Sequence, residues 1–336
     1  MKFSQSALFY NVKSLGVCLQ PLLPLHRLRC QAHTQRCLSQ LKTLSVSTLE
    51  VLKQRLTMVC TLPPQTHRKI HTLSPHLDFV QGIAKGSRYY YDFMTHFRFF
   101  PKNLRYHLEY GDVNYNLLIP AFCKSRPIPT TQYSYNVLFP LDTRRHFKYI
   151  FPTSHLPFEA KQNTLFFRGA CIQPHRIAFL KKFFDHPLMD IGHVGIPLAP
   201  LTSFIKSKAS IATHLKHKFI LSLEGYDVAS NLKWILSSNS IAVMPKPKFE
   251  TFFLESRLVP NVHYIPIKDD YSDIETQLEF FTTHPKDCLE IIANANAYVR
   301  AFLSPMENLI VFLVLRKYFY ATQQIQVSPL EQSLFV

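Results

Sequence analysis

The sequence is short of glycine, of acidic side chains and of long apolar runs, and each shortage narrows what the protein can be. Only eight glycines occur in 336 residues, seven of them from Gly82 to Gly225. Tight turns and close backbone approaches are therefore concentrated in that stretch, where working loops are expected. No segment reaches the 18 or so consecutive apolar residues needed to span a bilayer; the strongest run, Leu309 to Leu315, stops at Arg316. Asn11, Lys13 and Gln20 interrupt the mildly apolar first 25 residues, so no signal peptide is expected. Paired cysteines are also missing: the seven present, Cys18, Cys30, Cys37, Cys60, Cys123, Cys171 and Cys288, are odd in number and scattered. That argues against a disulfide framework and for a reducing compartment, and a cytosolic location is expected.

Apolar residues make up 47% of the chain and aromatics 13%, far from the composition of a disordered protein. The length suits two ordinary domains, or one large α/β unit with an extension. Lysine and arginine outnumber acids 38 to 22, giving a net charge of +16. The excess is uneven: residues 1–75 hold ten Lys/Arg and one acid, Glu50, a net of +9. Such a segment suits a polyanion, such as nucleic acid or an anionic membrane face, and equally suits a solvated, loosely ordered extension. Within it His26, Cys30, His33 and Cys37 would share one face of a helix, a ligand-like spacing for zinc. The neighbouring Arg27, Arg29 and Arg36 would repel a cation, so no metal site is expected.

No internal repeat is visible, and a soft boundary falls near residue 75. From about residue 160 short β-branched or aromatic runs alternate with helical stretches. Strands are predicted at Thr164 to Phe167, Leu188 to Val194, Lys218 to Leu223, Ile241 to Met244 and His263 to Ile267. Helices are predicted at Arg176 to Phe184, Ser230 to Ser237, around Phe249 to Glu255, from a Ser272–Glu275 capping box to Phe281, from Pro285 to about Leu303, and at Asn308 to Tyr320. Such alternation predicts a parallel, doubly wound sheet with ligands at the carboxyl ends of its strands. Arg168, Gly169, Gly225 and the loop from Tyr226 to Asn231 are the residues so placed. Asp269, Asp270 and Asp273 could be read as an acidic metal cluster, but a helix start explains them better.

The string Lys218 to Gly225 followed by Asp227-Val228-Ala229-Ser230-Asn231-Leu232-Lys233-Trp234 resembles the donor-site core of glycosyltransferase family 90, its bacterial lipopolysaccharide branch in particular. Phe167-Arg168-Gly169, Phe249-Glu250-Thr251, Leu258 to Tyr264 and Lys268 to Asp273 agree in order. Upstream, Gly111-Asp112-Val113 and Lys124 to Ile128 agree as well, so the likeness runs over about residues 85–320. Residues 1–75 have no counterpart in it. The family also holds animal protein O-glucosyltransferases and fungal capsule-associated xylosyltransferases.

The resemblance implies a GT-B-like α/β fold, two Rossmann-like halves facing across a cleft. On this basis residues 1–75 are a basic extension, 76–160 the acceptor-side half, 161–303 the nucleotide-sugar half and 304–336 a C-terminal helix and tail. It implies inverting transfer from a UDP-sugar to a lipopolysaccharide core or similar surface glycan, with no obligatory metal or other cofactor. Arg168 matches the family's phosphate-contacting arginine and Gly169 lets the backbone come close. Gly225, Asp227 and Ser230 fall on the phosphate-binding loop. Where animal members carry a second arginine this chain has Asn231, so Lys233 would have to supply that charge. Glu250 matches an acidic donor-half position that could accept bonds from hydroxyls. Asp112 matches the proposed base, with His155 and His193 ranked behind it. The enzyme is expected in the cytoplasm, peripheral to an anionic inner-membrane surface, and no nucleic-acid partner is expected. The competing readings are a degenerate transferase fold that binds polyanions without chemistry, and a protein O-glucosyltransferase.

Overall fold

The computed structural model describes residues 25–63, 88–151, 156–197 and 199–335. In chain order the principal elements are α1 (His26–Lys42), α2 (Val46–Val59), α3 (Arg88–Phe97), β1 (Ala121–Cys123), β2 (Ser125–Pro127), β3 (Asn136–Leu138), β4 (Gln162–Gly169), α4 (Pro174–Phe183), β5 (Met189–His193), β6 (His217–Leu221), α5 (Leu232–Leu236), β7 (Ile241–Met244), β8 (Phe249–Thr251), β9 (Ile265–Pro266), α6 (Ile274–Thr283), α7 (Pro285–Ala301), α8 (Met306–Ala321) and α9 (Pro329–Phe335). They fall into two compact units. Among the described residues, the first holds those up to Thr143, the short segment Thr251–Leu254 and those from Pro305; the second holds those of Arg144–Glu250 and Glu255–Ser304.

The first unit is built mostly from helices and aromatic rings. Phe93 packs on Tyr106 and Phe122 with ring centroids 4.5 and 5.1 Å apart, and Phe122 lies 4.2 Å from Tyr318. Tyr318 is deeply buried, so its hydroxyl needs partners; it donates to the Pro120 carbonyl (3.0 Å) and accepts from the His107 amide (3.2 Å). β1 and β3 form a short parallel pair, Phe122 opposite Val137. In the basic N-terminal segment the described residues form α1 and α2, and α2 packs on α8 and α9. Ser45 caps α2 by accepting the Thr48 amide (3.2 Å), and Arg55 pairs with Glu307 at the start of α8.

The second unit holds the parallel, doubly wound sheet that the strand–helix alternation predicts. Its five strands are all parallel, in the order β5-β4-β6-β7-β9. Leu165, Phe167, Phe219, Leu221, Val243 and Ile265 alternate onto one face of the sheet, where they pack with Phe179, Leu180 and Phe183 of α4 and with Leu278, Phe281, Cys288 and Ile291 of α6 and α7. On the other face Phe166 meets His214 (4.7 Å) and His214 meets Trp234 of α5 (5.4 Å). Burial on both faces explains why these strands read as continuous apolar runs.

Two local expectations are corrected. The stretch predicted helical around Phe249 to Glu255 is instead strand β8 and a 3₁₀ turn, Glu255–Arg257, joined through Leu254 at φ 55°. Leu254 at φ 55° lies outside the right-handed helical region, so no helix can run through it, and Phe252, Phe253 and Leu254 are all buried. The Ser272–Glu275 capping box does not form, because α6 starts after Asp273 with no side-chain cap. Its parts are used elsewhere: Asp273 accepts the Lys268 amide (2.9 Å) and the Ser272 amide donates to Asp270 (3.0 Å), a local aspartate turn that outcompetes the box. Among the described residues no single helix is long and apolar enough to cross a membrane.

Candidate active site

The chain leaves β4 for α4 on one face of the sheet and leaves β6 for α5 on the other, so the strand order reverses between β4 and β6. Outside the carboxyl ends of two such strands a crevice opens, and it is where ligands bind in open α/β sheets. Two loops form it here, residues 170–173 after β4 and 222–231 after β6. The second loop carries Gly225, Asp227, Ser230 and Asn231 of the expected donor site, and Gly169 ends the strand that leads into the first.

Gly169 ends β4. A side chain there would start 2.6 Å from the Phe167 ring, so glycine is required for packing. In the second loop the Gly225 amide donates to the Asp227 carbonyl (2.8 Å), closing a tight turn, and Asp227 is buried. Ser230 is half-buried just before α5. Asn231 binds the end of β6, donating to the Leu221 carbonyl (2.9 Å) and accepting from the Ser222 hydroxyl (3.1 Å). Lys233 lies beneath the loop, 1% exposed, its ammonium 2.6 Å from the equally buried Glu255 and 5.2 Å from the Phe147 ring. Its charge is answered inside the protein. Glu250 is also buried and accepts from the Ser256 hydroxyl (2.5 Å).

Arg168 points toward β5, away from the crevice between β4 and β6. Its guanidinium donates to the carbonyls of Phe167 (2.9 Å) and Asp190 (2.8 Å) and to the Asp190 carboxylate (2.7 Å), and it lies 4.4 Å from the Phe166 ring. Lys206 reaches the same carboxylate oxygen (2.7 Å), and these two cations hold Asp190 below the usual carboxylate range despite its partial burial. His193 is buried with both ring nitrogens engaged, by the Cys171 amide (3.1 Å) and the Ile196 carbonyl (3.3 Å). His155 lies outside the described residues.

Three residues of the crevice were not singled out from sequence. Arg176 ties the two loops together, donating to the carbonyls of Ala170 (2.7 Å), Leu223 (2.5 Å) and Glu224 (3.0 Å). Glu224 in turn accepts the amides of Lys248 and Phe249 (both 3.1 Å), and burial pushes its carboxyl up to about 7. Gln173 holds the N-cap position of α4 without capping it. A signal for Arg176 was legible: it is a cation in the first turn of a helix, where the dipole disfavours positive charge, directly after a strand that ends in glycine.

Asp112 belongs to the first unit, following Gly111, whose φ of 89° suits glycine. Lys124, fully buried, donates to its Oδ1 at 2.5 Å, while 33% of the Asp112 side chain stays exposed. The nearby Tyr89 hydroxyl donates to the Gly111 carbonyl (3.3 Å), and burial foremost raises its pKa. One oxygen of Asp112 is thus oriented by a buried ammonium, in a half-open setting. No group of three or more His, Cys, Asp or Glu among the described residues is arranged to hold a metal. His26, Cys30, His33 and Cys37 do line one face of α1, but as two thiol–imidazole pairs, Cys30 with His26 (3.4 Å) and Cys37 with His33 (3.6 Å).

Comparison with known sequences adds to this geometry. Residues 150–325 match the profile described as Glycosyl transferase family 90. O-glucosyltransferase LpsA of Dichelobacter nodosus is 43% identical over 236 residues, covering 70% of this chain and 73% of that protein. Protein O-glucosyltransferase 1 of Rattus norvegicus is 24% identical over 156 residues, and that of Homo sapiens 24% over 160 residues. The matches to these two animal proteins span 38% and 39% of their lengths.

Proposed function

The chain belongs to glycosyl transferase family 90 and is a glycosyltransferase, and from that premise we propose that it moves a sugar with inversion from a UDP-sugar to a lipopolysaccharide core or a similar surface glycan. The observation that carries this reading is the crevice between β4 and β6, lined by the loops that hold Gly169 and Gly225. A nucleotide diphosphate needs backbone that it can approach closely and a helix start nearby. Both are available there. The acceptor half of the reading is supported by the 43% identity to a protein named LpsA.

In this mechanism an acceptor hydroxyl oxygen attacks the anomeric carbon and passes its proton to Asp112. The bond from that carbon to the phosphate oxygen breaks, and its electron pair leaves with UDP. Gly225 lets the donor approach the backbone, Gly169 keeps the end of β4 packed on Phe167, and Ser230 offers the donor a hydroxyl. Asn231 and Lys233 brace the loop from beneath, through Leu221 and Glu255. Asp227 and Glu250 shape the walls, and Arg168 steadies the end of β4 through its pairing with Asp190. The two units would face each other in a GT-B arrangement, with the acceptor on the first. The reaction runs without an obligatory metal, and the basic N-terminal segment holds the enzyme to the cytoplasmic face of an anionic membrane.

The test is transfer itself. Purified protein is incubated with a panel of UDP-sugars and truncated lipopolysaccharide, with and without EDTA, and products are followed by mass spectrometry. One sugar is expected to be transferred, with inverted configuration and regardless of chelation. Absence of hydrolysis or transfer with every donor, together with salt-sensitive nucleic-acid binding, would instead favour a degenerate polyanion binder.

A further inference from the structure

The second unit holds a groove that the donor chemistry does not use. It runs beside the hairpin of α6 and α7, has a volume of about 540 Å³, and is lined by Phe280 together with Asn261, Thr276, Gln277, Asp287 and Glu290. That volume suits a small organic ligand. Asn261 lies in the turn before β9, held at φ 60° with its amide donating to the Tyr264 carbonyl (2.9 Å). β9 is an edge strand with β7 between it and β6, and the groove shares no residue with the loops at 170–173 and 222–231.

Phe280 supplies a flat apolar wall, and the residue is 44% exposed. Its ring is held in place. His284 stacks on it with centroids 4.0 Å apart and 14° between the planes, and donates from Nδ1 to the Phe280 carbonyl (2.7 Å). Phe281 meets it edge to face at 5.1 Å. With one face against His284, the other is left for a ligand, and a ring already fixed loses little freedom when something stacks on it.

The polar groups around the ring select the ligand. Among the described residues, none offers the side chains of Asn261, Thr276, Gln277, Asp287 or Glu290 a hydrogen bond or an ion pair. Asp287 and Glu290 can only accept, whereas the two amides and the Thr276 hydroxyl both donate and accept. No lysine, arginine or histidine is among the described residues that line the groove, so a phosphate or a sugar acid would meet like charge there. A bare ammonium ion brings no acceptor and would leave the amide and hydroxyl donors unused. A neutral pyranose uses the whole set: its hydroxyls donate to the carboxylates and accept from the amides, and its C–H face lies on the electron-rich face of the ring.

We infer that this groove is a second carbohydrate site, which holds a neutral pyranose of the acceptor glycan away from the donor crevice. The inference rests on the surface-glycan acceptor proposed above and deepens it. A glycan held there by one unit keeps its other units near the enzyme, and the effective concentration so gained lowers the amount of acceptor needed.

The test titrates core oligosaccharide released from lipopolysaccharide, with and without its phosphates, into the whole protein by calorimetry. Wild type is compared with the Phe280→Ala, Phe280→Tyr and Gln277→Ala variants. Phe280→Ala should weaken binding of the dephosphorylated oligosaccharide about 10-fold, the loss of a stacked ring. Phe280→Tyr, which keeps the ring, should stay near wild type. Gln277→Ala should lose several-fold, and it carries the test if Phe280→Ala does not fold. In transfer assays Phe280→Ala should raise KM for the same oligosaccharide by a similar factor and leave kcat unchanged. Binding as tight as wild type in both alanine variants, or a fall in kcat with KM unchanged, overturns the inference. So does a preference for the phosphorylated oligosaccharide that disappears in Phe280→Ala. Wild-type protein that binds no oligosaccharide overturns the surface-glycan reading itself, and the inference with it.

Discussion

The two units solve the same problem, burying an apolar core, with different materials. In the second, strands pair in parallel and the core is mostly aliphatic and phenylalanine side chains from the sheet and the helices packed on it, so the fold is written into local runs. In the first, rings from residues as far apart as Phe93, Phe122 and Tyr318 meet in one cluster around a strand pair only three residues long. Local pattern and fold are tightly coupled in one unit and loosely coupled in the other. That difference also separates the proposed chemistry, because the proposed donor loops belong to the sheet unit while the proposed base belongs to the aromatic one.

The largest expected effect breaks the chemistry at that division. Asp112→Ala should lower kcat by about 10²- to 10⁴-fold, the usual contribution of a general base, and leave the affinity for UDP unchanged in calorimetry. A parallel loss of UDP affinity would mean that the two roles are not separable by unit.

The next effect concerns stability in the sheet unit. Lys233 and Glu255 are each 1% exposed and paired at 2.6 Å. Lys233→Met strands the carboxylate and should cost about 3–5 kcal/mol of stability in chemical denaturation. Adding Glu255→Leu should restore much of it, since removing both charges relieves the burial penalty. A single variant as stable as wild type would show that the pair does not hold the loop.

A smaller effect is expected at Glu224, whose carboxyl is raised from 4.5 to about 7 by burial. A raised acid favours its protonated form in the folded state. Its contribution to stability is therefore fully present below about pH 4.5 and is lost as pH rises through about 7. Glu224→Gln keeps an acceptor for the Lys248 and Phe249 amides but cannot ionise. It should match wild type at pH 4.5 and exceed it at pH 8 by roughly 2 kcal/mol, and equal melting curves at both pH values would contradict this.

The smallest lies in the aromatic unit, at the cap of α2. Ser45→Ala removes the oxygen that accepts the Thr48 amide and should cost about 1 kcal/mol. The measurement is the midpoint of urea unfolding; no shift there would mean that α2 is held by packing alone.

The sequence was most legible where local pattern decided the outcome. Ile241 to Met244 was placed to the residue, and the helix starting at Pro285 was placed at its start, because an apolar run between turns and a first-turn proline each carry a physical signal. Around Phe249 the same reasoning failed, since burial of Phe252 to Leu254 depends on partners remote in sequence. The candidate site shows the same limit. Gly169 and Gly225 were legible as glycines at strand ends and Arg176 as an unusual cation in a first helical turn, whereas the contacts that Arg176 makes are fixed only when two loops distant in the chain share one crevice. That Lys233 meets Glu255 and Arg168 meets Asp190 was likewise not readable, because each pairing is fixed by the packing of separate elements.

The most direct test of where the donor binds is hydrogen exchange of the whole chain with and without saturating UDP. Slower exchange confined mainly to residues 170–177 and 222–231 is the expected result. Protection that spares both loops and appears in other segments would contradict a donor site at the carboxyl ends of β4 and β6.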